Sequence, residues 1–287
     1  MTTRFNLAPQ PPLPVPAANA YAEAALAASS GPWEAVEEHR DLSFGPQDWQ
    51  SFDLFTPTNG TGSDMLIFVH GGGWTNGYKE WCGFMAPALA ARGCALAAVS
   101  YRLAPGIRYP VMLEDVLDGV SAVIRHLPDV GCASDRVFLS GHSAGGHLAA
   151  LAALRPDLWA AHGIPEGAIR ACAPISGILD LHHPAPPPGS LEAMVYEKVL
   201  ARPEDDGVAS PLSWLADNDL PLFLSWGSAD SDRVQRANRA ARMVLEGAPT
   251  TARFLEMDQD HFGTHLALRD AQHPWYDIFD DMRRLTK

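Results

Sequence analysis

The sequence predicts an α/β domain built on a mostly parallel central sheet with helices on both faces. Three observations carry that prediction. Continuous apolar runs at residues 65–69 and 94–99 read as strands buried on both faces. Amphipathic stretches at helical spacing stand between such runs, the clearest over 111–126, with Leu113, Val116, Leu117, Val120, Val123, Ile124 and Leu127 on one stripe. Strand and helix keep alternating to the end of the chain, as in a parallel sheet with crossover helices.

Read in order, residues 1–32 form a Pro- and Ala-rich arm. Pro9, Pro11, Pro12, Pro14 and Pro16 predict extended chain to about residue 18, laid over the body or disordered. Asn19 is the expected cap of a short helix reaching Ser29, closed by Gly31-Pro32. The main domain is expected over 33–287. Residues 37–56 hold two candidate strands, the second ending in the alternating Ser51-Phe52-Asp53-Leu54-Phe55, with a turn over 57–62. The strand at 65–69 runs into His70-Gly71-Gly72-Gly73-Trp74. A helix near 80–92, the strand at 94–99, the loop Tyr101-Arg102-Leu103-Ala104-Pro105 and the long helix at 111–126 follow. A strand at 137–139 breaks at Gly141-His142-Ser143-Ala144-Gly145, and a helix begins at once. After a strand at 169–175, residues 179–216 interrupt the rhythm with His182-His183, Pro184, Pro186, Pro187 and Pro188, and an amphipathic piece at 191–200. They read as a lid-like insertion over the sheet edge. Strand 222–226, helix 233–245, strand 252–257 and helix 275–285 complete the chain.

The 287 residues suit one large domain, and a 47% apolar fraction is ample for a core. A net charge of −13 argues against nucleic acid or an anionic membrane as partner. The four cysteines, Cys82, Cys94, Cys132 and Cys172, show no C-x-x-C spacing, which signals neither zinc nor a redox pair. A reducing, cytoplasmic setting is expected, because the N-terminus has no signal-peptide pattern and no run of 18 apolar residues occurs.

The chemistry centres on residues 141–145. G-x-S-x-G between strand and helix is the context in which a sharp turn presents a serine hydroxyl above the sheet, at a helix N-terminus that favours developing negative charge. A serine hydroxyl is a weak nucleophile without a base and an orienting acid. In this architecture acid precedes base, each in a loop after a strand. Asp230 follows strand 222–226 and His261 follows strand 252–257. Asp232 is the better candidate to cap the next helix, which leaves Asp230 for His261. Asp258 and Asp260 are expected to face solvent, although either is a substitute acid. His142 and His147 are assigned to packing, and His126, His162, His265 and His273 to the surface. His182-His183 lack a third metal ligand. Acyl transfer also needs N–H donors for an oxyanion, worth about 3 kcal/mol each. Ala144, after Ser143, is one, and the loop 70–74 is expected to supply the others.

At these residues the chain resembles the α/β-hydrolase superfamily over roughly 60–287. H-G-G-G, Tyr101-Arg102-Leu103-Ala104-Pro105 and G-H-S-A-G-G are similar to the branch shared by hormone-sensitive-lipase-like esterases and kynurenine formamidases. Trp74 directly after the glycines, Gly227-Ser228-Ala229-Asp230-Ser231 and Asp260-His261-Phe262 tilt the resemblance toward the formamidases. It implies an α/β-hydrolase fold with Ser143 as nucleophile, Asp230 as acid, His261 as base, and oxyanion donors at Gly72, Gly73 and Ala144. The expected activity is hydrolysis of a small-molecule ester or amide without metal or other cofactor. The specific expectation is N-formylkynurenine, the alternative a short-chain or aryl ester. A ligand-binding protein on a hydrolase scaffold stays open as a third reading. Trp74, Trp214 and Phe262 are the candidate pocket residues. Oligomeric state, a homodimer included, is not legible.

Overall fold

The computed structural model describes residues 5–13, 15–60 and 64–286. The first four residues and Pro14 of the arm, and Thr61 and Gly62 of the expected turn, lie outside the described residues. The strands are β1 (Val36–Ser43), β2 (Ser51–Pro57), β3 (Asp64–Val69), β4 (Cys94–Val99), β5 (Val137–His142), β6 (Ile169–Ile175), β7 (Leu222–Ala229) and β8 (Ala252–Asp260). They form one sheet in the order β1-β2-β4-β3-β5-β6-β7-β8. β2 runs antiparallel to β1 and β4, and the remaining neighbours are parallel. This is the α/β-hydrolase arrangement.

The helices are α1 (Pro16–Ala28), α2 (Ala86–Ala90), α3 (Val111–His126), α4 (Ala144–Leu154), α5 (Pro156–Trp159), α6 (Leu191–Met194), α7 (Asp232–Glu246), α8 (Gly263–Leu266) and α9 (Pro274–Leu285). Side chains alternate across each strand, so β3 feeds two cores at once. Met65, Ile67 and Val69 belong to the core on the side of α3 and α4, while Leu66 and Phe68 belong to the opposite core that includes residues of α1, α2 and α9. Each such buried aliphatic side chain stabilises the fold by about 1.5–3 kcal/mol. No helix among the described residues is long and apolar enough to cross a membrane.

Several boundaries differ from expectation. α1 starts at Pro16, where the fixed φ of proline suits the first turn, and Asn19 lies inside the helix with its amide directed back to the Val15 carbonyl. The stretch near 80–92 is three short pieces: turns at Lys79–Trp81 and Gly83–Met85, then α2. Pro87 can begin a helix but cannot continue one, and Lys79 is drawn down onto Asp41, Asp53 and Glu80 at 2.6–2.8 Å. Asp53 is therefore buried, and β2 is covered throughout its length rather than on alternate residues. Ser231, not Asp232, caps α7 by accepting from the Val234 amide.

The insertion carries α6, a π-helical turn over Val195–Val199 and two short turns. It packs across the carboxyl ends of central strands rather than along a sheet edge. Tyr109 bridges to Leu200, the Met194 methyl lies 3.8 Å from the Cβ position of Gly73 after β3, and the Ala209 carbonyl reaches His147 in α4 after β5.

Candidate active site

Ser143 sits between β5 and α4 with φ 57° and ψ −120°, a strained conformation that turns its side chain out of the strand direction. The turn requires the flanking glycines. A Cβ on Gly145 would run into the Val69 carbonyl, and one on Gly141 would stand 2.5 Å from the Gly145 backbone. The Ser143 amide is tied to the Ile175 carbonyl at 3.0 Å, so β6 holds the turn from the other side.

The carboxyl ends of β7 and β8 bring Asp230 and His261 to this serine. Ser143 Oγ lies 2.8 Å from His261 Nε2, and His261 Nδ1 lies 2.6 Å from Asp230 Oδ1. With Nδ1–H donating to the carboxylate, Nε2 is free to accept the serine proton. Burial by itself raises the Asp230 carboxyl. The hydrogen bond and charge of His261, with donors from Ser176 and the Gly227 amide, outweigh it and hold the group below the ordinary aspartate value. Asp258 and Asp260 point elsewhere: Asp258 meets Ser228, and Asp260 accepts from the Gly263 amide.

A second ring of polar groups surrounds this trio, and sequence reasoning missed it. Ser176, at the end of β6, places its hydroxyl 2.6 Å from Asp230 Oδ2 and 2.8 Å from Thr264 Oγ1. Thr264 Oγ1 in turn lies 2.8 Å from the His261 carbonyl, which also accepts from His142 Nε2 at 2.7 Å. His142 is buried, and burial together with the charge of His261 pushes it down to about 3, so it is neutral with its proton on Nε2. His147, pushed down to about 4 by burial, accepts from Trp74 Nε1 at 3.1 Å and donates to the Ala209 carbonyl. Of these, His142 and His147 flank the motif in sequence; nothing local marks Ser176 or Thr264.

The loop after β3 curls tightly beside Ser143. Gly72 has φ 119° and Gly73 φ 61°, and the Gly72 carbonyl accepts from the Asn76 amide. Among the described residues the amides of Gly72, Gly73 and Ala144 have no hydrogen-bond acceptor. Such N–H groups at the mouth of a turn are the donors an oxyanion needs. A Cβ at Gly71 would sit 3.3 Å from the Ser143 Cβ, so this loop and the serine are in direct apposition. The N-terminal arm clamps the far side of the same loop. Gln10 brackets Gly77, accepting from its amide at 2.7 Å and donating to its carbonyl at 2.8 Å, and Asn76 reaches the Pro11 carbonyl at 2.6 Å.

The three candidate pocket residues are scattered. Phe262 is beside the site, 5.4 Å from the His261 ring and 5.3 Å from Tyr21 of α1. Trp74 is buried in the core against His147. Trp214 stacks on Arg155 at 4.2 Å, beyond the last residue of α4 and so roughly 18 Å along the helix from Ser143 at about 1.5 Å per residue. Met194 of the insertion is the apolar neighbour of the Gly73 loop that sequence did not single out, its methyl 3.8 Å from where a Gly73 Cβ would be.

His265 is fully buried rather than at the surface, stacked on Phe68 at 4.9 Å and His142 at 5.3 Å and bonded to the Tyr21 hydroxyl at 2.8 Å. His273 caps α9, His162 meets Asp118 and His126 meets Asp129. His182 pairs with Asp206 at 2.8 Å, and no group of three metal-ligating side chains occurs among the described residues.

The BD-FAE family model matches residues 52–238. Isoprenylcysteine alpha-carbonyl methylesterase ICME of Arabidopsis thaliana is 35% identical over 116 residues, 40% of this chain and 27% of that protein. The chain spans about a quarter of the length of the first curated relatives it matches. Kynurenine formamidase of Salmo salar is 29% identical over 245 residues, 80% of each chain. The solved structure of EstE1, a thermostable carboxylesterase from a metagenomic library, superposes with a TM-score of 0.74 at 20% identity, covering 94% of this chain and 96% of that one. At that identity the superposition speaks for the fold alone.

Proposed function

The chain belongs to the BD-FAE family, and on that premise we propose that it is a serine hydrolase cleaving a carboxylic ester or aryl formamide through an acyl-enzyme on Ser143. One observation carries the reading: the unbroken run from Ser143 Oγ to His261 Nε2 and from His261 Nδ1 to Asp230, at 2.8 and 2.6 Å. As Oγ attacks the substrate carbonyl, His261 Nε2 takes its proton, and Asp230 stabilises the imidazolium without being protonated. The amides of Gly72, Gly73 and Ala144 receive the oxyanion. When the tetrahedral intermediate collapses, His261 returns the proton to the departing alcohol or amine. Water then attacks the acyl-enzyme by the same route, restoring Ser143. No step needs a metal or organic cofactor.

N-formylkynurenine is the proposed substrate, supported by similarity to a kynurenine formamidase along four-fifths of both chains and by the aromatic ring of Phe262 beside His261, a surface of the kind an aromatic amine stacks on. A short-chain carboxylic ester is the second reading, favoured by the Met194 thioether against the oxyanion loop and by similarity to a methylesterase. A cytoplasmic setting is part of the proposal, in keeping with four free, buried cysteines. The test is kcat/KM for N-formylkynurenine beside p-nitrophenyl acetate and butyrate, with Ser143→Ala as blank. Preference for the formamide supports the first substrate, and activity on esters alone supports the second. Turnover by Ser143→Ala equal to that of the parent protein sinks the mechanism.

A further inference from the structure

Ser176 combines an unusual backbone conformation with an amide tied to the Ser225 carbonyl at 2.7 Å. It follows β6 with φ +46°, a left-handed conformation that glycine adopts freely and serine does not, and it is fully buried. Strain of this kind persists where the side chain is needed.

Counting protons shows what the side chain is needed for. Three contacts share two hydroxyl protons: Ser176 Oγ to Asp230 Oδ2, Ser176 Oγ to Thr264 Oγ1, and Thr264 Oγ1 to the His261 carbonyl. The ionised carboxylate only accepts, so the Ser176 proton goes to Asp230. Thr264 can then serve either Ser176 or the His261 carbonyl. Thr264 Oγ1 donates to the His261 carbonyl at 2.8 Å, and the second lone pair of that carbonyl takes His142 Nε2–H at 2.7 Å. The result is that the Ser176 hydroxyl spends its proton on the Asp230 carboxylate, with Thr264 Oγ1 in contact behind it at 2.8 Å.

We infer that Ser176 is a positioning residue for hydrolysis, its hydroxyl fixing the Asp230 carboxylate that orients His261. The inference rests on the Ser143–His261–Asp230 reading above. Ser176 acts on the substrate only through Asp230 and His261. Removing its hydroxyl therefore lowers kcat and leaves KM nearly unchanged.

The test uses the full chain with p-nitrophenyl acetate and the variants Ser143→Ala, Ser176→Gly, Ser176→Ala, Asp230→Asn and Ser176→Gly/Asp230→Asn. Loss of a hydrogen bond to a charged group predicts a fall in kcat of about ten- to a hundredfold in both Ser176 variants, with KM within about twofold. Glycine also relieves the backbone strain, so Ser176→Gly melts no lower than Ser176→Ala, which separates the hydroxyl from the fold. In the Asp230→Asn background the same change costs less than about twofold, since its target is already disabled. A kcat for Ser176→Gly within about twofold of the parent, or its full loss repeated on Asp230→Asn, overturns the inference. If Ser143→Ala turns over normally, the triad reading fails first. If Ser143→Ala is inactive and Ser176→Gly is unimpaired, only the present inference fails.

Discussion

The carbonyl oxygen of His261 accepts the Nε2–H of His142 at 2.7 Å, so the residue that precedes the serine in the chain also holds the backbone of the histidine that faces it. Their rings lie 4.9 Å apart. His142→Phe keeps the ring and removes the N–H. The His261 carbonyl then keeps the Thr264 hydroxyl as a donor and loses the imidazole. The expected result is a kcat lower by about fivefold to tenfold, from one hydrogen bond of ordinary strength, with little change in melting temperature. Steady-state kinetics and a thermal melt check it.

Acid should unfold this protein early. Burial pushes His70 and His147 down to about 4 and His142 to about 3, and it pushes His265 well below the usual histidine value. The unfolded chain binds protons at these sites from about pH 6.5 downward while the folded chain does not. Stability is therefore full above that pH and falls as pH drops toward 4, by up to about 1.4 kcal/mol per pH unit for each histidine. Urea titrations at pH 7.5, 6 and 5 should show the midpoint falling steeply. A flat midpoint down to pH 5 would contradict the buried, neutral assignment.

The turn at Ser143 tolerates no side chain at Gly145, where the obstacle is the Val69 carbonyl, fixed in the sheet. Gly145→Ala is expected to lose at least about 3 kcal/mol or fail to accumulate folded protein. Gly207, with no atom near its Cβ direction, is the control: Gly207→Ala should change stability by less than about 0.5 kcal/mol. Denaturation midpoints of the two variants decide the point.

The arm bears on the loop after β3 through Gln10. Gln10→Ala removes both bonds to Gly77 and loosens the turn that begins at Gly71. A fall in kcat of about threefold to tenfold is expected on p-nitrophenyl acetate, with a small change in melting temperature, since the lost contacts lie at the periphery. A variant as active as the parent would mean the loop holds its shape without the arm.

Lys79 holds the buried Asp53 from one side and Arg40 from the other, at 2.7 and 3.0 Å. Lys79→Met leaves Asp53 half-compensated in the core, which predicts a loss of about 3 kcal/mol. Lys79→Met/Asp53→Asn should recover part of it, and a double-mutant cycle in urea measures the coupling.

What the sequence determined by itself is whatever short-range pattern encodes. β4, β6 and α3 fall where apolar runs and helical spacing place them, because burial of a strand or helix face is written in consecutive side chains. The meeting of Ser143, Asp230 and His261 was legible for a related reason: each stands in a loop just after a strand of a parallel sheet, and chain order restricts which loops meet. Tertiary structure alone decided the rest. His265 lies four residues after His261 on a polar-looking stretch, yet Phe68, His142 and Tyr21 from three distant segments enclose it. Trp74 turns into the core because His147 offers its indole a partner 73 residues away. Ser176 reads as an ordinary residue of a Ser-Gly pair. Its role follows from a backbone angle and from contacts to residues 54 and 88 positions further on. Such contacts depend on how the strand ends converge in space, and no local periodicity records that.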